Sequence, residues 1–117
     1  MNPSPVILIT GASQGIGAAI AQTFAVELPG VRLALVARNE KNLRATAREC
    51  LKLGAAVEIF PCDVTREKPV AAMARAVTKH FGPVDVLINN AGAFVMAPFV
   101  KTSVAAFDDM IATNLRS

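Results

Sequence analysis

From Thr10 to Gly17 the chain reads T-G-A-S-Q-G-I-G, and glycines at that spacing can build a cradle for a phosphate. An apolar run, Val6 to Ile9, leads into the turn, and a helix leaves it near Gly15. Gly11 lets the backbone turn sharply. Gly15 and Gly17 remove side chains where a ligand or a neighbouring strand must come close. The helix aims its free N–H groups and the positive end of its dipole at the turn, so a pyrophosphate can be held there without a basic side chain. The spacing differs from the G-x-G-x-x-G of many dinucleotide sites, and no lysine follows it, which excludes a Walker-type phosphate loop. A glycine-rich turn also serves any tight strand-to-helix connection, so its meaning depends on the rest of the chain.

A second informative position lies about 20 residues past the last of these glycines, where a dinucleotide site reads its ribose. An NAD site would place Asp or Glu there to accept from the ribose hydroxyls. This chain has Ala37-Arg38. An arginine can form a forked, charge-assisted pair with a 2′-phosphate, which predicts NADP(H) over NAD(H). The plain alternative is a surface arginine.

The elements that must position these residues alternate along the chain. Strands are expected over 5–10, 31–37, 56–60 and 84–88. Helices are expected over 15–28, stopped by Pro29-Gly30, and over 39–53, ended by Gly54. A third helix opens at Thr65 or Lys68, carries Pro69 in its first turn and ends near Phe81. A loop with Gly92 and Pro98 follows the fourth strand, and a last helix begins near Ser103. Such alternation predicts an α/β fold, a Rossmann-type doubly wound parallel sheet with strand order 3-2-1-4, here incomplete at four strands with flanking helices. In such sheets ligands bind at the carboxyl ends of the strands, at the switch point between strands one and four. The glycine turn and Asn89-Asn90-Ala91-Gly92 both fall there.

At 117 residues, 53% hydrophobic and 18% charged, the chain fits one domain with a real core. No run reaches the ~18 apolar residues of a membrane span, and no basic leader precedes the first apolar run. A cytoplasmic protein is the expectation, and the two cysteines, Cys50 and Cys62, read as buried thiols without metal-ligand spacing. The net charge of +3 is mild. Lys41, Arg44, Arg48 and Lys52 form one helical stripe, read as the solvated face opposite Leu43, Ala47, Cys50 and Leu51. The stripe could steer a polyanionic cofactor inward. Basic charge and aromatics are too sparse for a nucleic-acid surface. His80 suits the last turn of the third helix as a cation on its dipole, and Asp85 the turn into strand four. Phe94, Met96 and Phe99 could wall an apolar substrate pocket or pack in the core.

Thr10-Gly11-Ala12-Ser13-Gln14-Gly15-Ile16-Gly17, Cys62-Asp63-Val64, Asn89-Asn90-Ala91-Gly92 and Thr113-Asn114-Leu115, in this order, resemble the motifs of the short-chain dehydrogenase/reductase family. The likeness covers the whole chain and is nearest to NADP-linked carbonyl reductases of the 3-oxoacyl-carrier-protein or sepiapterin reductase type. It implies that Gly11, Ser13, Gln14, Gly15, Ile16 and Gly17 line the pyrophosphate and adenosine ribose. Some relatives carry Lys or Arg at the Gln14 position to help hold a 2′-phosphate, which leaves Arg38 most of that work here. The resemblance makes Asp63 the acceptor of the adenine amino group, with the Val64 backbone beside it. Asn90, Ala91 and Gly92 pass behind the riboses, although Asn90 has a second reading as a tie between strands. Asn114 matches the helix asparagine that anchors a proton-relay water, the one catalytic position of the family present.

The family reduces a carbonyl by hydride transfer from the nicotinamide. A tyrosine protonates the alkoxide, a lysine four residues on lowers its pKa, and a serine holds the substrate oxygen. Proton donation needs a placed acid. This chain has no tyrosine and ends at Ser117. Residues 1–117 are therefore expected to be a dinucleotide-binding domain cut before the catalytic Ser/Tyr/Lys region, inactive alone. It would be the amino-terminal half of an enzyme of ~250 residues. The full-length protein would act on a small carbonyl or alcohol substrate as a homo-oligomer, with no nucleic-acid or membrane partner. The alternative is a non-catalytic NADP-binding module.

Overall fold

The computed structural model describes residues 4–64, 66–90 and 95–98. Its parallel strands are β1 (Val6–Thr10), β2 (Arg32–Ala37), β3 (Ala56–Pro61) and β4 (Val86–Asn89). Helices α1 (Gly15–Glu27), α2 (Glu40–Lys52) and α3 (Glu67–Phe81) connect them. The order β3-β2-β1-β4 is that of a doubly wound sheet, as the alternation of elements predicts. Element ends fall within two residues of those read from the sequence. Arg66 occupies the N-cap position of α3 without a side-chain capping bond, and Thr65 lies outside the described residues.

Successive strands move outward from β1 to β3, and the chain then returns across the sheet to β4. Right-handed crossovers therefore place α1 and α2 on one face and α3 on the other. Side chains alternate accordingly. Ile7, Ile9, Leu33 and Leu35 pack with Ala21, Ala25, Leu43 and Cys50. Val6, Leu8, Ala34 and Val36 pack with Val70, Met73, Ala74 and Val77. Covered on both faces and flanked on both edges, β1 is wholly buried.

Two expectations need correction. The segment read as a loop with Gly92 and Pro98 contains a strand, β5 (Val95–Pro98), antiparallel to β4. Its pairing, Leu87 with Ala97 and Ile88 with Met96, gives the β4 edge a partner. An unpaired ladder edge favours such pairing, and a terminal proline is compatible with it because it need not donate. The other correction concerns α2. Leu43, Thr46, Ala47 and Cys50 form its buried stripe, whereas Leu51 is 54% exposed. Spacings of three and four bring Thr46 round to the core side, and Leu51, four residues past Ala47, stands at the solvent margin of the same stripe.

The opposite edge is closed chemically. Ala56 and Cys62 donate their N–H groups toward β2, so those of Val57 and Ile59 point outward. The Glu58 carboxylate accepts the Ile59 N–H at 3.2 Å, and Pro61 has no N–H to offer. Both devices discourage strand addition.

At the amino ends of the strands Asp85 accepts the Val6 N–H at 2.8 Å, which ties β1 to the approach of β4. Arg32 clamps the same end, donating to the Ser4 carbonyl from Nε and Nη2 and to the Phe81 carbonyl from Nη1 at 2.9 Å. Arg32→Met keeps the apolar stem and loses all three bonds. We expect it to cost about 2 kcal/mol in urea unfolding, with the slope unchanged. Nicotinamide-cofactor affinity should stay at the wild-type value, because Arg32 opens β2 at the end away from the crevice.

Candidate functional site

The crevice lies where β1 and β4 part company at their carboxyl ends. One cavity of about 400 Å³ there is lined by Gly11, Ser13, Gln14, Ala37, Arg38, Asn39, Cys62, Asp63, Val64 and Asn90. Residues from four separate turns thus meet in one place. Gly11, Ser13, Gln14, Arg38, Asp63, Val64 and Asn90 are all expected site residues. Gly15, Ile16 and Gly17 form the first turn of α1 beside the cavity, with Ile16 68% exposed. Ala91, Gly92 and Asn114 lie outside the described residues, as do Phe94, Phe99, the helix expected from Ser103 and the Met96 side chain.

The turn owes its shape to its glycines. Gly11 and Gly15 have φ of 64° and 61°, in the left-handed region that side chains disfavour. Gly17 has ordinary backbone but no room. A Cβ there would overlap the Gly11 carbonyl oxygen and stand 2.8 Å from Asn90 Nδ2. The helix that follows starts bare. Its N-cap, Gln14, makes no side-chain capping bond, and no acid stands in the first turn. The leading N–H groups of α1 are thus free of side-chain competition, which is the state an anion needs. A nicotinamide dinucleotide fits this donor set, because the bare end of α1 offers free N–H groups to a pyrophosphate.

A buried network holds the crevice together. Thr10, wholly buried, shares its hydroxyl proton between Asn89 Oδ1 at 3.1 Å and the Ile88 carbonyl at 3.5 Å. The same oxygen accepts the Asn90 N–H at 2.9 Å. Asn90 Nδ2 reaches the Gly11 carbonyl at 3.5 Å. Asn90 therefore both lines the cavity and ties β4 to the glycine turn. On the other side Thr46 donates from α2 to the Ser13 carbonyl at 3.5 Å. The sequence showed a signal for Thr10, a polar residue closing an apolar run. It showed none for Thr46, whose hydroxyl lies between the local Asn42 carbonyl at 3.4 Å and the Ser13 carbonyl 33 residues away.

Asn39 caps α2 through its side-chain oxygen, which accepts the Asn42 N–H at 2.9 Å, and so fixes the chain direction just after Arg38. The thiols are chemically quiet. Burial, helped by Glu49, pushes Cys50 up to about 11, and burial with Asp63 raises Cys62. Both are unpaired, and neither is a thiolate at neutral pH. His80 faces Glu58 at 3.5 Å and the rings of Phe60 and Phe81, away from the cavity. Among the described residues there is no cluster of metal-binding side chains, and no helix is long and apolar enough to cross a membrane.

Comparison with known proteins agrees with this geometry. The profile of the short chain dehydrogenase family matches residues 5–117. D-threitol dehydrogenase of Mycolicibacterium smegmatis is 40% identical over 110 residues, covering 94% of this chain and 42% of that protein. A metagenomic short-chain oxidoreductase solved with NADP is 42% identical with a TM-score of 0.71, covering 78% of this chain and 41% of that one. An NAD+-bound xylitol dehydrogenase is 35% identical with a TM-score of 0.72, covering 78% of this chain and 34% of that one. The chain spans less than half the length of each. Ordered motifs, strand order, a bare α1 and a match from Pro5 to Ser117 together establish that the chain belongs to the short-chain dehydrogenase/reductase family of oxidoreductases.

Proposed function

We propose that this chain is the cofactor-binding half of an NADP(H)-dependent carbonyl reductase or alcohol dehydrogenase. The observation that carries the cofactor assignment is Arg38, which lines the cavity at the end of β2 where an NAD site would present a carboxylate. Gly11, Ser13, Gln14, Gly15, Ile16 and Gly17 would bind the pyrophosphate and adenosine ribose. Arg38 would fork onto the 2′-phosphate, and Asp63 would accept from the adenine amino group beside Val64. Asn90, Ala91 and Gly92 would back the riboses. A nicotinamide cofactor held there would supply hydride transfer to or from a carbonyl or alcohol carbon. Asn114 would hold the water of a proton relay.

The chain has no tyrosine, so residues 1–117 are assigned cofactor binding without turnover, and the acid that protonates the alkoxide is assigned to residues outside them. The names of the D-threitol and xylitol dehydrogenases point to polyols, which agrees with a small carbonyl or alcohol substrate. Arg38 and the ordered motifs favour the NADP-linked carbonyl reductase branch, of 3-oxoacyl-carrier-protein or sepiapterin reductase type. Free, buried thiols accord with a cytoplasmic location.

Arg38→Ala tests the assignment. A charge-assisted pair contributes roughly 1.5–3 kcal/mol, so NADPH binding should weaken about 10- to 150-fold. NADH binding should hold, as followed by nicotinamide fluorescence. Equal losses for the two cofactors would overturn the reading.

A further inference from the structure

Arg38 does not face its anion alone. Two residues on, Glu40 opens α2 with a carboxylate, next to the Asn39 cap that lines the cavity. One turn further, Arg44 grips that carboxylate. Its Nε and Nη2 both donate to Glu40 Oε2, at 3.0 and 2.8 Å. The two side chains are 54% and 60% exposed, so the pair contributes little to folding. Its effect on a nearby anion is larger in proportion. Glu40 is two residues from Arg38, so their backbones lie no more than about 7 Å apart, within a Debye length of about 8–10 Å, and an uncompensated carboxylate there would repel a 2′-phosphate held by Arg38. The helix dipole draws both negative groups to the same end of α2, so they compete for it.

We propose that Arg44 tunes the selectivity that Arg38 confers, by neutralising Glu40, as a positioning residue that does not itself touch the phosphate. This inference rests on the NADP(H) assignment. In it, Lys41 adds a second cation on the exposed first turn of α2, while Asp63 lies across the cavity toward the adenine end. Glu40 without its partner would act at a distance like the acid of an NAD site, penalising only the cofactor that carries the extra phosphate.

The test titrates the intact protein with NADPH and with NADH, followed by fluorescence, at low and at high salt. Arg44→Gln should weaken NADPH about two- to fivefold and leave NADH unchanged, the scale of one unscreened charge at this range. Glu40→Gln should tighten NADPH. The double variant should return NADPH to the wild-type value, and all three effects should shrink at high salt. A double variant as weak as Arg44→Gln alone would mean that Arg44 contacts the phosphate directly, which overturns the proposal. So would equal shifts for the two cofactors. A wild-type protein without preference for NADPH would remove the cofactor assignment itself. A clear preference with an unmoved ratio in Arg44→Gln would remove only the role of Arg44.

Discussion

Among the described glycines, Gly17→Ala should be the most damaging addition of a single methyl group. The new Cβ would overlap the carbonyl oxygen of Gly11 and stand 2.7 Å from its carbonyl carbon. Both belong to backbone, so no side chain can swing aside. Either α1 tilts off the sheet or the glycine turn opens, and each route disturbs the bare helix end. Overpacking costs about 1–3 kcal/mol where neighbours can adjust, and we expect about 3 kcal/mol here because they cannot. That is a large share of a typical domain's stability. Urea unfolding should show an early midpoint, and NADPH binding should be lost even where the variant folds. Gly15→Ala is the control. Its Cβ meets nothing within 4 Å, and only the φ of 61° resists it. That strain is about 1–2 kcal/mol. A variant at Gly17 no weaker than the one at Gly15 would show that the turn is softer than its geometry implies.

These glycines also show what the sequence could reveal. Their spacing marked the turn, with Gly11 read for the sharp bend and Gly15 and Gly17 for close approach, but Gly15 answers to φ instead, since no protein atom stands within 4 Å of a Cβ there. Gly11 and Gly15 need the left-handed region, while Gly17 needs the gap that Gly11 and Asn90 leave. That distinction depends on an approach between β1 and β4, segments some 79 residues apart, such as Asn90 Nδ2 on the Gly11 carbonyl. Local pattern located β1 to β4 and α1 to α3, because short apolar runs and helix stops such as Pro29-Gly30 and Gly54 are signals within a few residues. It failed at β5, where a four-residue run ending in proline looks the same as a loop until a free edge pairs with it. It failed at Leu51 for a related reason. An apolar residue beside a buried stripe is easily read into it, and only the sheet contact decides which side of the helix is covered.

Thr10→Val should separate the chemistry of the crevice from its shape. Valine has nearly the volume of threonine, so no cavity and no clash follow, and the change is confined to the hydroxyl. With it go the bond to Asn89 Oδ1 at 3.1 Å and the acceptor for the Asn90 N–H at 2.9 Å. Losing partners inside a buried network costs more than losing them at the surface, since water cannot replace them. We expect a loss of about 2–3 kcal/mol, read as a shift in the urea midpoint. The functional consequence follows from the same two bonds. Asn90 lines the cavity and is held to β1 by Thr10 on one side and the Gly11 carbonyl on the other. With one anchor gone, NADPH affinity should fall about tenfold, equivalent to 1.4 kcal/mol of lost positioning. Thr10→Ser keeps the hydroxyl and removes only a methyl group. It should bind NADPH nearly as well as wild type, despite losing about 1 kcal/mol of core packing. If serine and valine weaken NADPH equally, the methyl group rather than the hydroxyl orders the crevice, and the hydrogen-bonded tie between β1 and β4 is not what holds Asn90 in place.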